Sequence, residues 1–354
     1  MILLGRYIGR RVVAGTVWTL LVLITLLGFF FFIEELGDVG EGRYRTADAA
    51  LYVLLILPRY AYEIFPVAAL IGSLIGLGSL ANHSELTAMR TGGMSLARIV
   101  SAVLATGALM LVAASLLGEV VAPPAEQYAE TMRAEKKSGQ ITLKTEYGFW
   151  ARDGSAFLNI REILPGSRLE DIYIYEFSPE RRLEAVTHAA FAQYLEGRWL
   201  LRDIRQSLFR DGGVETRRIE EVTWESMVNP TLLSYVALDP NVLPSWGLYR
   251  YVQFMRDNGQ SAIRFEVAFW GKVLTPFVTL VMLFLSVPFV FGSLRTVGIA
   301  QRVFVGTLVG VGFLLLTRIS SYMAVVYTLD PFLLAAFPGL ATLGLALWLA
   351  RRVH

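Results

Sequence analysis

The sequence holds no cysteine and only three histidines, His83, His188 and His354. Disulfides, thiolate metal sites and cysteine nucleophiles are excluded at once, while the redox compartment stays open. Three scattered imidazoles do not make an H-E-x-x-H helix or a zinc centre, so no metal site is expected. The chain has no G-x-x-x-x-G-K-[ST] phosphate cradle, so it is not expected to hydrolyse ATP, and no G-x-S-x-G elbow points to a serine hydrolase. Charge is scarce as well: 18% of residues are charged, and 32 Lys and Arg against 30 Asp and Glu leave a net charge of +2. Both signs are mixed along the chain, which gives no basic stripe for nucleic acid.

Apolar surface is what the chain has in excess. Of its 354 residues 55% are hydrophobic and the mean hydropathy is +0.51, a composition of integral membrane proteins. A bilayer core of roughly 30 Å needs about 20 apolar residues per helix. Six segments qualify: Val12–Ile33, Ile64–Leu80, Ile99–Val121, Val267–Phe291, Phe304–Tyr327 and Phe332–Leu349. The basic residues before the first run, with no A-x-A-like cleavage site after it, read as a retained signal anchor.

Lys and Arg near the span ends set orientation. Arg6, Arg10 and Arg11, then Arg90 and Arg98, Arg295 and Arg302, and finally Arg351 and Arg352 fall on one side. The other side has Arg43, Arg45 and Arg59 among several acids, and its last loop, Thr328–Pro331, has no basic residue. Both termini are therefore expected in the cytoplasm and the long middle insertion outside.

That insertion changes character. Alternating stretches such as Asp171–Phe177 and Gly197–Arg210, with turn signals at Asp153-Gly154, Glu196-Gly197 and Asp211-Gly212-Gly213, predict an antiparallel sandwich or jelly roll of eight to ten strands. A polar lead-in, Pro123–Gly139, reads as a helical extension of the third span. The expected division is residues 1–122 with three spans, 123–264 with the β domain, and 265–354 with three more spans.

Ionisable residues in or beside apolar spans are costly and therefore candidates for function. Arg318 interrupts the fifth span in "LLLTRISSY", as a snorkelling anchor or as a cation facing a cavity. Arg133, Lys136, Lys137, Arg264 and Lys272 fall near outer span ends, as a basic ring suited to phosphates or as a scatter of interfacial cations. Glu34, Glu35 and Glu63 lie at the same level, paired with those cations or ending their helices in water. Leu26, Phe30 and Phe31 in the first span, with Phe313 and Leu316 in the fifth, are candidates to line an apolar cavity or gate. Gly72 and Gly76, with Gly306, Gly310 and Gly312, are spaced for close helix approach. Between spans two and three lies "ANHSELTAMRTGGMSLARIV" (Ala81–Val100), half polar and helical in pattern. Ser84 is placed to cap a short helix, Glu85 suits its dipole, and Gly92-Gly93 ends it.

The segments "RYIGRRVV" (Arg6–Val13), "GEGRY" (Gly40–Tyr44), "FPVAALIGSLIGLGSLANHSEL" (Phe65–Leu86), "GEVVAPPAEQYA" (Gly118–Ala129) and "FGSLRTVGIAQRVFVG" (Phe291–Gly306) resemble the LptF/LptG family of lipopolysaccharide-transport permeases. "GEGRY" and "SLRT" bring the chain nearer the LptG branch. The resemblance implies an α-helical integral membrane protein with six transmembrane helices and a periplasmic antiparallel β-jellyroll between helices three and four, in the bacterial inner membrane. It implies a heterodimer with an LptF-like permease on an LptB-like ATPase dimer, which uses ATP and Mg. The assembly extracts lipopolysaccharide from the outer leaflet and passes it to LptC-like and LptA-like proteins, with lateral gates formed by the first span of one permease and the fifth of the other. The segment Ser84–Gly93 then matches a coupling helix, with Ser84, Glu85, Leu86, Met89 and Arg90 facing the ATPase. Arg133, Lys272 and Arg302 match basic positions of the family, and Arg133 falls where the family places lipid A phosphates. Relatives can carry lysines at the outer end of the first span, where this chain has Phe31, Gly37 and Asp38. A scaffold that recruits envelope proteins through a sheet edge and a lipid-modifying enzyme are the alternatives outside transport. A lipoprotein-exporting permease would place its outer domain after its first span, whereas three spans come first here.

Overall fold

The computed structural model describes residues 2–138, 143–153, 156–164, 168–178, 182–195, 198–210, 213–224, 240–257, 259–291 and 297–352. The helices are α1 (Ile2–Leu36), α2 (Thr46–Asn82), α3 (Glu85–Thr91), α4 (Leu96–Leu116), a π-helical turn (Leu117–Val121) and α5 (Ala122–Ser138). Six strands follow: β1 (Leu143–Asp153), β2 (Ala156–Leu164), β3 (Arg168–Phe177), β4 (Leu183–Leu195), β5 (Arg198–Arg210) and β6 (Gly213–Trp224). The chain then returns through α6 (Ser245–Asp257), α7 (Ile263–Phe291), α8 (Ile299–Val326) and α9 (Pro331–Arg351).

Among the described residues, six helical stretches are long and apolar enough to cross a bilayer: α1, α2, α4 with α5, α7, α8 and α9. The stretch from Leu96 to Lys137 is 42 residues, or about 63 Å at about 1.5 Å per residue, twice the hydrocarbon thickness. Its far half therefore stands beyond the hydrocarbon as a stalk beneath the β strands. The expected helical lead-in is α5 as far as Ser138; Gly139 lies outside the described residues. Pro123 and Pro124 remove two N–H donors at its start, and the π-helical turn lies immediately before them, where the regular ladder fails.

Helix α2 is the hub, with 78% of its apolar window buried against 11% for α1 and 17% for α8. It runs longer than the expected Ile64–Leu80. Residues 46–63, read from sequence as a loop that carries Arg59, continue the helix through Pro58 and Pro66. Leu70, Leu74, Leu77 and Leu80 of α2 pack with Ile8 and Val12 of α1, Ile99 and Val103 of α4, and Met282, Leu283 and Leu285 of α7. Lipid is as apolar as leucine, so close packing decides helix association here. A Cβ on Gly72 would sit 2.3 Å from the Thr16 backbone, and one on Gly76 2.6 Å from the Arg11 carbonyl oxygen. Gly306 and Gly310 likewise admit Leu74 and Val67 of α2, whereas Gly312 faces open space.

The β strands form one antiparallel sheet in chain order, six strands among the described residues rather than eight to ten. Asp153-Gly154, Glu196-Gly197 and Asp211-Gly212-Gly213 mark hairpins, although 154, 196, 197, 211 and 212 lie outside the described residues. Arg161, Asp171, Ala190, Asp203 and Glu220 fall in one transverse row that the paired registers skip. Asp171 and Asp203 have φ of 54° and 50° there, the left-handed region that aspartate tolerates better than most side chains. Core positions jump by three across the row, from Leu169 to Ile172, from Ala189 to Ala192 and from Leu201 to Ile204. From β2 to β6 each strand takes its extra residue in this row, so the sheet creases there without slipping register and keeps one apolar face, whereas β1 shifts register against β2 between Lys144 and Phe149. Phe254 of α6 packs against that face.

Candidate functional site

Two polar regions stand out at opposite ends of the bundle. At the end with both termini, α2 stops at Asn82 and α3 begins at Glu85. The junction is pinned: His83 Nδ1 lies 2.8 Å from the Ser79 carbonyl oxygen, and the Ser84 N–H donates to Ala81 O at 3.0 Å. Ser84 takes the N-cap position, but with φ of 59° and no side-chain cap bond, so the expected hydroxyl cap is corrected. The end of α3 follows expectation, since the Gly92 N–H closes on Ala88 O and Gly93 has φ of +89°. Leu86 is buried, anchoring α3 to the bundle, while Thr87 and Arg90 are exposed and Glu85 and Met89 half-buried. Arg90 lies 5.9 Å from the Phe291 ring at the end of α7. Leu86, Thr87, Arg90 and Thr91 border a groove of about 340 Å³ with Ala81, Val290 and Phe291. Its surface joins apolar Val290 and Phe291 to the Arg90 guanidinium, while Glu85, on the first turn of α3, is not among its lining residues. "SLRT" falls in 292–296, outside the described residues.

At the end with the β strands, the expected basic ring divides into three groups. Arg133 Nε lies 2.6 Å from Glu35 and its Nη2 2.5 Å from Asp38. Lys137 bridges Asp38 and Glu41 at 2.9 Å each, and Lys136 lies 3.5 Å from Asp48. Tyr44 donates to Glu35 at 2.9 Å, and burial with that carboxylate holds its phenol well above the ordinary value. "GEGRY" supplies the turn. Gly42 has φ of +56°, and a Cβ there would meet the Lys137 carbonyl oxygen at 2.3 Å. Acids around the α1–α2 turn thus neutralise the three cations at the end of α5.

Lys272 points elsewhere. Its Nζ donates to Leu243 O at 2.6 Å, just before α6. Pro276 has no N–H, which leaves the Lys272 carbonyl without its helical donor, and the Tyr62 hydroxyl reaches that oxygen at 3.3 Å. Glu119, on the π-helical turn, accepts from the Ser245 N–H and Oγ at 2.7 Å each, a carboxylate at a helix N-terminus. Beside this pair, Arg59 joins Glu63 and buried Glu126, each at 2.8 Å. Sequence reasoning passed over Glu119 and Glu126, although a carboxylate inside "SLLGEVVAPP" is itself a signal.

Arg264 and Arg318 form the third group: both are exposed, with no ion pair among the described residues. Arg318 shares the outward face of α8 with Phe304, Leu308, Val311, Leu315 and Tyr322. Of the apolar candidates, Leu26 and Phe30 are exposed and the Phe31 ring meets Tyr60 in a tilted pair, centroids 4.3 Å apart. Phe313 packs on the bundle core, and Leu316 is half-buried. Arg302 is not at this end; it is buried beside α2 near α3.

A family profile described as "Lipopolysaccharide export system permease LptF/LptG" matches residues 6–352. The chain is 36% identical over 352 residues to the lipopolysaccharide export system permease protein LptG of Haemophilus influenzae, covering 99% of this chain and 98% of that protein. It is 34% identical, with the same coverage, to LptG of Escherichia coli. Similarity to the LptF protein of Escherichia coli is weaker, 26% over 227 residues, or 57% of this chain and 62% of that one.

Proposed function

The chain belongs to the LptF/LptG permease family, and from that premise we propose that it is the LptG-type subunit of a lipopolysaccharide exporter in the inner membrane. What carries the reading is the match along 98% of the length of relatives that bear the LptG name. Both termini and α3 face the cytoplasm, and the β strands stand in the periplasm. The exposed faces of α1 and α8 meet a second, LptF-like permease and line the cavity that the two share. A lipid with several acyl chains resists leaving the bilayer by about 0.8 kcal/mol per methylene, so extraction needs work from outside this chain. An LptB-like ATPase dimer supplies it with ATP and Mg, through Glu85, Met89 and Arg90 on α3. Cargo passes toward LptC-like and LptA-like proteins. Arg318 and Arg264 are open to lipid phosphates at once, whereas Arg133, Lys136 and Lys137 would first exchange their carboxylate partners.

Co-expression with the neighbouring transport components followed by affinity purification tests the reading. An ATPase, a second permease and lipopolysaccharide should come down together. Glu85→Lys should cut ATP-driven lipid release at least tenfold, whereas a scaffold would tolerate it. Recovery of neither an ATPase nor lipopolysaccharide rejects the assignment.

A further inference from the structure

Arg302 is fully buried, although it is charged and lies in the first turns of a membrane helix. Its Nη2 donates to Asn82 Oδ1 at 2.9 Å, and Asn82 is the last residue of α2. The carbonyl end of a helix favours a cation there. Gly78, one turn earlier on α2, forms the bay: a Cβ at that position would stand 2.4 Å from Arg302 Nη1 and 2.8 Å from its Cδ. Farther along, Gly306 and Gly310 seat α8 on Leu74 and Val67. Helix α8 is thus fitted to α2 from its base upward, and Arg302 near that base holds Asn82, the residue where α2 gives way to α3. Only His83 and Ser84 intervene, and both are hydrogen-bonded back to α2. A shift of α3 therefore pulls on Asn82 without slack. Breaking this hydrogen bond to a buried guanidinium costs enough to draw the foot of α8 along.

We infer that Arg302 is a positioning residue that carries displacement of α3 into α8, the span whose outward face presents Arg318. The inference rests on the reading of α3 as the contact through which the partner ATPase acts. Without native cysteines in this chain, introduced thiols report cleanly. Nitroxide labels at Thr91 on α3 and at Tyr322 on α8, each paired with one at exposed Leu109 on α4, are followed in the assembled complex in nanodiscs. Electron–electron double resonance compares the nucleotide-free and ADP-vanadate states.

Both distances should change in the native complex. In Arg302→Ala and in Asn82→Ala the Thr91–Leu109 change should persist while the Tyr322–Leu109 change falls at least twofold, and ATP-dependent lipopolysaccharide release should fall about fivefold. Asn82→Asp keeps an acceptor for the guanidinium and should restore the α8 response. If Arg302→Ala does not assemble, Asn82→Ala decides alone. Native shifts at both labels in these variants overturn the inference and leave the reading of α3 intact. An α3 label that stays still in the native complex overturns that reading and the inference with it.

Discussion

At the level of single residues, cations that look alike in sequence differ in what surrounds them. Arg133 is held by Glu35 and Asp38 and lies over the Tyr52 ring, so removing it leaves buried Glu35 with the Tyr44 hydroxyl but no cation, while Asp38 keeps Lys137. Arg133→Ala should therefore lower the thermal midpoint of the purified complex, with a cost of about 3–5 kcal/mol, the range for breaking a buried pair. Arg318 has no such pair, so Arg318→Ala should leave the midpoint within about 0.5 kcal/mol in stability. Its effect should appear in lipopolysaccharide binding, measured by thermophoresis, as a loss of several-fold. A large stability loss at Arg318 with unchanged binding would remove it from the substrate path. These residues were legible as candidates because an ion in an apolar run is anomalous in one dimension. Their partners were not. Nothing local to Arg133 announces that Glu35 and Asp38, about a hundred positions earlier, close on it, or that Lys272 turns to the Leu243 carbonyl rather than to the rim.

Among the elements, the spans were legible because composition alone separates lipid-exposed helix from everything else. Their ends were less so. The start of α2 was hidden because Pro58, Arg59 and Glu63 imitate a loop, whereas the last two form a half-buried i,i+4 pair. The strand pattern in Asp171–Phe177 and Gly197–Arg210 was found by its alternation, but one period does not run through β5. It restarts after Asp203, because the crease inserts a residue. That position carries a clean expectation. At φ of 50° a β-branched side chain is strained, so Asp203→Val should destabilise the β domain by about 1–3 kcal/mol, while Asp203→Gly should be tolerated. Hydrogen exchange of β5 in the full-length protein reads both, and equal protection in the two variants would dismiss the crease as a requirement. A parallel test sits between α1 and α2. Gly72→Val drives atoms into the Thr16 backbone and should cost about 1–3 kcal/mol or more, seen as a lower melting temperature in detergent.

For the molecule as a whole, the uneven burial of its spans gives the clearest expectation. Helix α2 is enclosed, whereas α1 and α8 leave large side chains outside along their length. Lipid covers such faces adequately, so exposure by itself does not separate a bilayer-facing stripe from a cargo-facing one. Charge does separate them. The α8 stripe contains Arg318, which bulk hydrocarbon disfavours by about 2.5–3.5 kcal/mol at mid-depth, while the exposed face of α4, with Leu109, Val112 and Leu116, is wholly apolar at those positions. Photo-crosslinking amino acids at Leu26 and Phe30 on α1 and at Leu315, one turn from Arg318 on the same face of α8, should therefore form adducts with lipopolysaccharide in cells. The yield should hold or rise when ATP hydrolysis by the partner is blocked after loading, because the loaded cavity can no longer be emptied. The same probe at Leu109 should capture ordinary phospholipid and be indifferent to hydrolysis. Lipopolysaccharide adducts at Leu109 as strong as those at Phe30 would mean that α1 and α8 see only the surrounding bilayer, and the shared cavity would have to be sought on another face.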